Sequence, residues 1–370
     1  MVGGGLVVGG GKLRGMTRAA RLASLFGADR PIVHPIVLAP MAGGPSTPEL
    51  AAAVSRAGGL GSLGVAYLSP AAITDAIAAV RRLTDRPFAV NLFVPETASP
   101  DLARAAEVQR LLAGYRRELG IDEPTLPASF ALPFDEQLAA IIAAGVTIVS
   151  FTFGIPAPPV IEALHRAGAL VVGTATHVAE ARQLEAAGVD AISAQGAEAG
   201  GHRGTFAGRA EDALVGTMAL VPQVVDAVRV PVLAAGGIMD GRGIVAALAL
   251  GAIAAQLGTA FLLADEAGTD PAFRAAIAAA TDTTPTVTRA FTGRAARGLR
   301  NRFIDDWADR SPAPFPVQHV LTSDIRAAAR RAGKAEYVNL WAGQGVALAR
   351  PGKAEAIVAR LVQQMAEVET

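Results

Sequence analysis

The chain has 370 residues, about half of them apolar (51%) and only 18% charged, with 33 Lys+Arg set against 33 Asp+Glu. So apolar a chain buries a large core, which excludes global disorder, and a formal net charge of zero gives no drive toward nucleic acid or an anionic membrane. The lack of cysteine excludes disulfides, iron–sulfur clusters and thiol catalysis, and fits a cytoplasmic protein.

Residues 1–15 are glycine-rich but fit neither a Gly-x-Gly-x-x-Gly register nor a phosphate loop, since Leu13 stands where Ser or Thr is needed. They also lack the charged-then-apolar order of a secretory signal. They read as a flexible extension, with Met16 a candidate natural start.

Short apolar runs suited to strands follow at 36–41, 61–65, 88–93, 148–153, 170–173, 191–194, 232–235 and 254–258. Helical stretches at 47–57, 70–83, 158–167, 179–187 and 241–250 lie between them. The runs are apolar on both alternating faces, as in parallel strands covered by helices. Eight of them at βα spacing predict a TIM (β/α)8 barrel. Ala-Gly pairs at 57–58, 144–145, 167–168 and 187–188 supply the helix stops that such a repeat needs.

Two stretches interrupt the repeat. Residues 94–134 form a proline-punctuated excursion with its own helix at 101–119. Residues 264–333 hold a helix (271–280), a Thr/Pro turn, an arginine-rich stretch and a proline run at 311–316. We read them as a small inserted α-rich subdomain, leaving 16–263 and 334–370 as the barrel, with a last helix at 353–368. No run reaches the roughly 18–20 residues of a membrane span without Gly, Pro or charge.

In these barrels the chemistry sits at the C-terminal strand ends. The sixth strand runs into Asp190-Ala-Ile-Ser-Ala-Gln-Gly-Ala-Glu-Ala-Gly-Gly-His202. Its glycines let a backbone pass close to a ligand, and histidine moves protons near neutral pH. The first strand ends on the bare stretch Pro40-Met-Ala-Gly-Gly44, the third passes through Asn91, and the seventh and eighth end Ala234-Ala-Gly-Gly-Ile238 and Gln256-Leu-Gly-Thr259. Such loops hold a phosphate through backbone N–H groups, and here no lysine stands near either one to share that work.

Other residues carry plainer readings. His34, His165, His177 and His319 read as structural or surface groups, His177 lying just beyond a strand end. Glu198 reads as a solvated loop charge. The arginines at 289, 294, 297, 300 and 302 read as partners in salt bridges or an anion-attracting rim; no aromatic platform is interleaved to suggest nucleic acid. Gly343 and Gln344 could face the pocket or form a plain turn. No spacing suggests a metal site, and no Gly-x-Ser-x-Gly elbow exists.

In this order, Gln195-Gly-x-Glu-x-Gly-Gly-His202, Ala234-Ala-Gly-Gly-Ile238 and Gln256-Leu-Gly-Thr259 resemble the FMN-dependent nitronate monooxygenases, once called 2-nitropropane dioxygenases. The likeness spans roughly residues 30–350. Gly173-Thr-Ala-Thr176, Phe151-x-Phe-Gly-x-Pro156 and the stretch from Arg289 to Asn301 resemble the bacterial class I branch. The resemblance implies that Met41, Ala42 and Gly43 pass along the flavin ring, and that Asn91 and Gln195 hydrogen-bond flavin or ribityl oxygens. It further implies that Gly200, Gly201, Gly236, Gly237, Gln256, Leu257, Gly258 and Thr259 hold the ribityl-phosphate end, with His202 catalytic over the flavin and 264–333 helping to cover the substrate. The implied activity is FMN-dependent oxidation of alkyl nitronates by O2 to carbonyl compounds and nitrite, with no metal, membrane or nucleic-acid partner and with room for a homodimer. An NAD(P)H-dependent flavin reductase acting on quinones or enoyl thioesters shares these motifs, which do not separate the two. A non-catalytic barrel used as a binding module is the third reading.

Overall fold

A computed structural model describes residues 32–95, 101–127, 129–130 and 133–370. The 1–15 extension and Met16 lie outside the described residues, as does Pro100 in the excursion.

Eight parallel strands lie side by side: β1 (Ile36–Leu38), β2 (Gly61–Gly64), β3 (Phe88–Phe93), β4 (Ile148–Thr152), β5 (Leu170–Ala175), β6 (Ala191–Gln195), β8 (Val232–Ala235) and β9 (Ala254–Leu257). Their order is β1-β9-β8-β6-β5-β4-β3-β2. The ring closes at Leu60, where Leu38 N donates to Leu60 O at 2.8 Å and Leu60 N to Ile36 O at 2.9 Å. The expected TIM barrel is therefore present. Thr47 starts helix α1 (Pro48–Arg56) and Ser69 starts α2 (Pro70–Leu83), each with its side chain accepting a first-turn N–H just before a proline. Helices α5 (Pro158–Arg166), α6 (Val178–Ala186) and α8 (Gly241–Ala249) match the stretches expected, and α5 stops at Gly168, whose φ is 77°.

The strands explain how a barrel with an apolar floor acquires a polar top. Side chains alternate across a strand with period two. Val37, Ala89, Ile148, Val172, Ala191, Leu233 and Ala254 form one small apolar cluster inside the ring. Two residues further along the same strands stand Asn91, Ser150, Thr174, Ser193 and Gln256, which line a cavity. The outward set, including Val90, Val149, Phe151, Val171, Ile192 and Leu257, joins the large core beneath the helices.

Three elements were not expected from sequence. Helix α4 (Phe134–Ala143) follows the excursion, and α7 (Thr217–Ala227) precedes β8 despite Pro222 within it. The third is a β-hairpin in the inserted segment. Strands β10 (Pro285–Thr288) and β11 (Ala296–Leu299) pair antiparallel, and β11 pairs with the two-residue β7 (Gly201–His202). The same segment carries α9 (Pro271–Ala279), α10 (Arg302–Asp306), α11 (Val317–Leu321) and α12 (Ser323–Arg331). The excursion helix α3 (Leu102–Leu119) packs on α11 and α12, where buried Arg116 reaches Asp324 at 2.8 Å. The closing helix α13 (Ala354–Glu369) packs on α8 and α1. Among the described residues no helix is long and apolar enough to cross a membrane.

Candidate active site

A cavity of about 300 Å³ opens where the strands end. It gathers Met41, Ala42, Gly43, Asn91, Gln195, Gly200, Gly201, His202, Gly236, Gly237, Gln256, Gly258 and Thr259 from five strand ends. Leu257 is the exception: alternation turns its side chain outward into the core, where it is 1% exposed, while Gln256 and Gly258 face the cavity. Gly343 lines the cavity and donates to Thr259 Oγ1 at 2.9 Å, whereas Gln344 does not line it and instead donates its N–H to Glu198 O.

The loop bearing His202 is fastened by its own neighbours. Gln195 Nε2 donates to His202 O at 3.0 Å, and Gly204 N donates to Gln195 Oε1 at 2.8 Å. Buried Arg203 donates to the carbonyls of Gly196 (2.6 Å) and Gln195 (2.9 Å). Glycine is needed at 200 because a Cβ there would lie 2.6 Å from the backbone at 342–343. Glu198 is no solvated charge. It is half-buried and accepts from Thr217 N at 2.9 Å and Thr217 Oγ1 at 2.9 Å, which places a carboxylate on the first turn of α7. Gly237 follows at φ 72°, where a Cβ would stand 3.1 Å from Glu198 Cβ.

His202 stands inside an aromatic enclosure. Its ring centroid lies 5.5 Å from Phe153, 5.5 Å from Trp341, 6.1 Å from Phe315 and 6.3 Å from Phe93. Desolvation there, with the fields of Arg294 and Arg326, pushes its pKa down to about 3. The imidazole is neutral at pH 7. Its Nε2 lies 2.9 Å from Thr292 Oγ1, and Thr292 Oγ1 lies 3.2 Å from the carbonyl of Arg294, which can only accept. With the hydroxyl proton directed to that carbonyl, Nε2–H donates to Thr292 and Nδ1 keeps its lone pair. Phe153 is the one non-glycine residue with positive φ (78°) among the described residues. A bulky side chain in that conformation marks a strained, positioned residue. Its ring carries the Arg294 guanidinium 4.0 Å from its centroid.

The remaining wall was invisible in sequence. Tyr67, just after β2, stacks on His319 of α11 with centroids 4.3 Å apart and planes 8° from parallel. Arg326 and Arg330, one turn apart on α12, also line the cavity, as do Asn339 and Asp270. Arg330 donates to Asn339 Oδ1 at 2.7 Å and approaches Asp270 at 3.9 Å. Arg326 donates only to neutral groups: His319 O at 2.6 Å, Thr322 O and Thr322 Oγ1. Burial lowers its pKa to about 10, so it is charged at pH 7. The tyrosine and histidine arrive from segments 250 residues apart, and no local pattern marks their meeting. Of the arginine-rich stretch, Arg289 pairs with Glu211 (2.8 Å), Arg300 with Asp305 (2.6 Å) and Arg302 with Glu118 (3.2 Å), so those charges are matched in ion pairs.

The lining suits a planar, phosphate-bearing cofactor. Gly236, Gly237 and Gly258 donate to no backbone carbonyl among the described residues, which leaves amides for an anion at the β8 and β9 ends. Ser193 Oγ is buried in the cavity wall without a partner. Asn91 Nδ2 is held by Ser150 Oγ at 2.9 Å, which leaves its Oδ1 as an acceptor. Buried polar atoms without partners are rare unless a ligand completes them.

Comparison with known proteins gives a consistent picture. The family model described as nitronate monooxygenase matches residues 28–364. A probable nitronate monooxygenase of Staphylococcus saprophyticus is 43% identical over 342 residues, covering 91% of this chain and 96% of its own. The nitroalkane oxidase structure from Streptomyces ansochromogenes superposes with a TM-score of 0.87 at 44% identity, covering 94% of this chain and 99% of that one. FabK from Thermotoga maritima superposes with a TM-score of 0.74 at 32% identity, covering 94% and 96%.

Proposed function

The chain belongs to the nitronate monooxygenase family, and from its site we propose that it binds FMN and oxidises alkyl nitronates with O2 to a carbonyl compound and nitrite. The observation that carries this reading is the single cavity in which the glycine-lined strand ends meet a neutral, aromatic-enclosed His202.

FMN, when bound, supplies the redox chemistry that links the nitronate to O2. The chain does the rest. Gly200, Gly236, Gly237, Gly258 and Thr259 hold the ribityl-phosphate end through backbone amides, no lysine being among the residues that line the cavity. Met41, Ala42 and Gly43 give the ring a flat backbone wall. Asn91 and Gln195 present amide groups from β3 and β6.

His202 faces the substrate as a neutral imidazole. Thr292 holds Nε2, so Nδ1 is the nitrogen free to accept the α-proton of a neutral nitroalkane, or a hydrogen bond from a water held on a nitronate oxygen. The depressed pKa disfavours a charged imidazolium clamp on the nitronate. Phe93, Phe153, Phe315 and Trp341 exclude water from this point and favour an alkyl substituent. We propose that the inserted segment 264–333, which contributes Thr269, Phe273, Thr292, His319 and Arg326 to the lining, covers the substrate.

Aerobic incubation of the FMN-loaded protein with propyl-2-nitronate tests the reading. It predicts acetone and nitrite in comparable amounts, released only when FMN is present. A flavin-loaded protein that consumes no nitronate and releases no nitrite contradicts it.

A further inference from the structure

One cation of the cavity has no carboxylate at ion-pair distance among the described residues, only the more distant field of Asp324. Arg326 and Arg330 are its two cationic lining residues. Arg330 has Asp270 at 3.9 Å, whereas Arg326, 6% exposed, has no carboxylate within ion-pair distance among the described residues. Its nearest acid on the same helix, Asp324, is held by Arg116. A buried charge lacking a partner is strongly unfavourable unless a ligand completes it.

The groups around it are arranged for an anion as well. Arg326 donates Nη2 to the backbone of His319, and the His319 ring stacks on Tyr67. The Tyr67 hydroxyl is buried with no hydrogen-bond partner. Thr269 Oγ1, also in the cavity lining, is buried and unpartnered. These donors stand across Phe93 and Phe315 from His202: Tyr67 lies 5.4 Å from Phe93, and His319 lies 6.2 Å from Phe315. The reacting imidazole is neutral and cannot balance a substrate charge.

We infer that Arg326, with the Tyr67 hydroxyl beside the shared His319 ring, is the residue that holds the negative charge of the substrate in this cavity. The division of labour follows: His202 supplies the lone pair, and Arg326 supplies the field. The identity of the anion rests on the nitronate reading; the existence of the anion subsite does not.

Nitrite, a planar O–N–O anion, serves as the probe. The FMN-loaded protein is titrated with sodium nitrite and followed by the perturbation of the flavin spectrum, with acetamide as an uncharged control. Arg326→Met is expected to weaken nitrite about tenfold or more, as loss of a charge-assisted hydrogen bond does, and to leave acetamide unchanged. Arg326→Lys keeps most of the affinity. Tyr67→Phe, which removes a hydroxyl with no partner in the chain, weakens nitrite several-fold. A flavin-saturated Arg326→Met protein that binds nitrite within twofold of the parent overturns the inference. So does a variant that loses FMN affinity while nitrite binding at saturating flavin is unchanged, because that result assigns Arg326 to the cofactor phosphate. If Arg326→Met does not fold, Tyr67→Phe decides: unchanged nitrite affinity overturns the proposal. Nitrite binding that depends on Arg326 in a protein inert toward propyl-2-nitronate sinks the nitronate reading and leaves the subsite standing.

Discussion

The two sides of the cavity are built by opposite means. At the ends of β8 and β9 the wall is bare backbone: Gly236, Gly237 and Gly258 offer amides and no side-chain charge. On the side of α11 and α12 the wall is side chain: Tyr67, His319 and Arg326 present a ring, an imidazole and a buried guanidinium drawn from distant segments. Backbone amides at fixed strand ends suit a resident group whose position never varies, because the barrel sets their geometry. Side chains, two of these three on the inserted segment, suit the exchanging partner, since they can be altered without disturbing the ring. His202 stands at the junction, on the small sheet that ties the barrel loop to the inserted hairpin.

Several variants break or sharpen this contrast. His202→Ala removes the group at the junction and is expected to lower kcat/KM by about 100-fold or more while FMN stays bound; steady-state nitrite release with the flavin spectrum as control measures it, and parent-like turnover contradicts the assigned role. Gly237→Ala attacks the backbone side. A Cβ at φ 72° and 3.1 Å from Glu198 Cβ introduces strain of about 1–3 kcal/mol. The FMN dissociation constant should rise by roughly tenfold or more, with nitrite affinity at saturating flavin unchanged. Equal weakening of both ligands contradicts the separation of the two sides.

The pH dependence tests the aromatic enclosure. The His202 pKa falls from the ordinary imidazole value of 6.5 to about 3 in the folded chain. Between those values the unfolded chain binds a proton that the folded chain refuses. Stability is therefore full above about 6.5 and declines as pH falls toward 3, by at most roughly 1.4 kcal/mol per pH unit for this group. His319, also lowered by burial and by Arg326, acts in the same direction. Urea midpoints at pH 7.5 and 5 should differ less in His202→Gln than in the parent; an equal difference places the ring in a solvated setting. The smallest effect is expected from Glu198→Gln, which weakens the carboxylate bond to the first turn of α7. A loss of about 1 kcal/mol, read as a lowered Tm, is expected with little change in kcat.

The barrel was legible because buried parallel strands are continuous apolar runs, and β3 and β8 begin and end where those runs do. Helix α7 was not, since Pro222 interrupts its pattern and nothing local marks its start. The hairpin at Pro285–Leu299 was hidden in a Thr/Pro and arginine-rich stretch whose strand character comes from pairing with β7, a long-range partner. For the site, the residues singled out by the motifs line one cavity, apart from Leu257, which belongs to the string but turns its side chain to the other face of β9. Glu198 looked solvated because its partner, Thr217, is 19 residues further on. Tyr67, His319 and Arg326 gave no signal at all. Each is ordinary in its own segment, and their meaning arises only where the fold brings them together.

The most direct test of the account is anaerobic mixing of the FMN-loaded protein with propyl-2-nitronate and, separately, with NADH, while the flavin absorbance is followed. The account predicts that the nitronate bleaches the flavin and NADH does not. Bleaching by NADH with no response to the nitronate would contradict it and make the chain a nicotinamide-dependent flavin reductase on the same barrel.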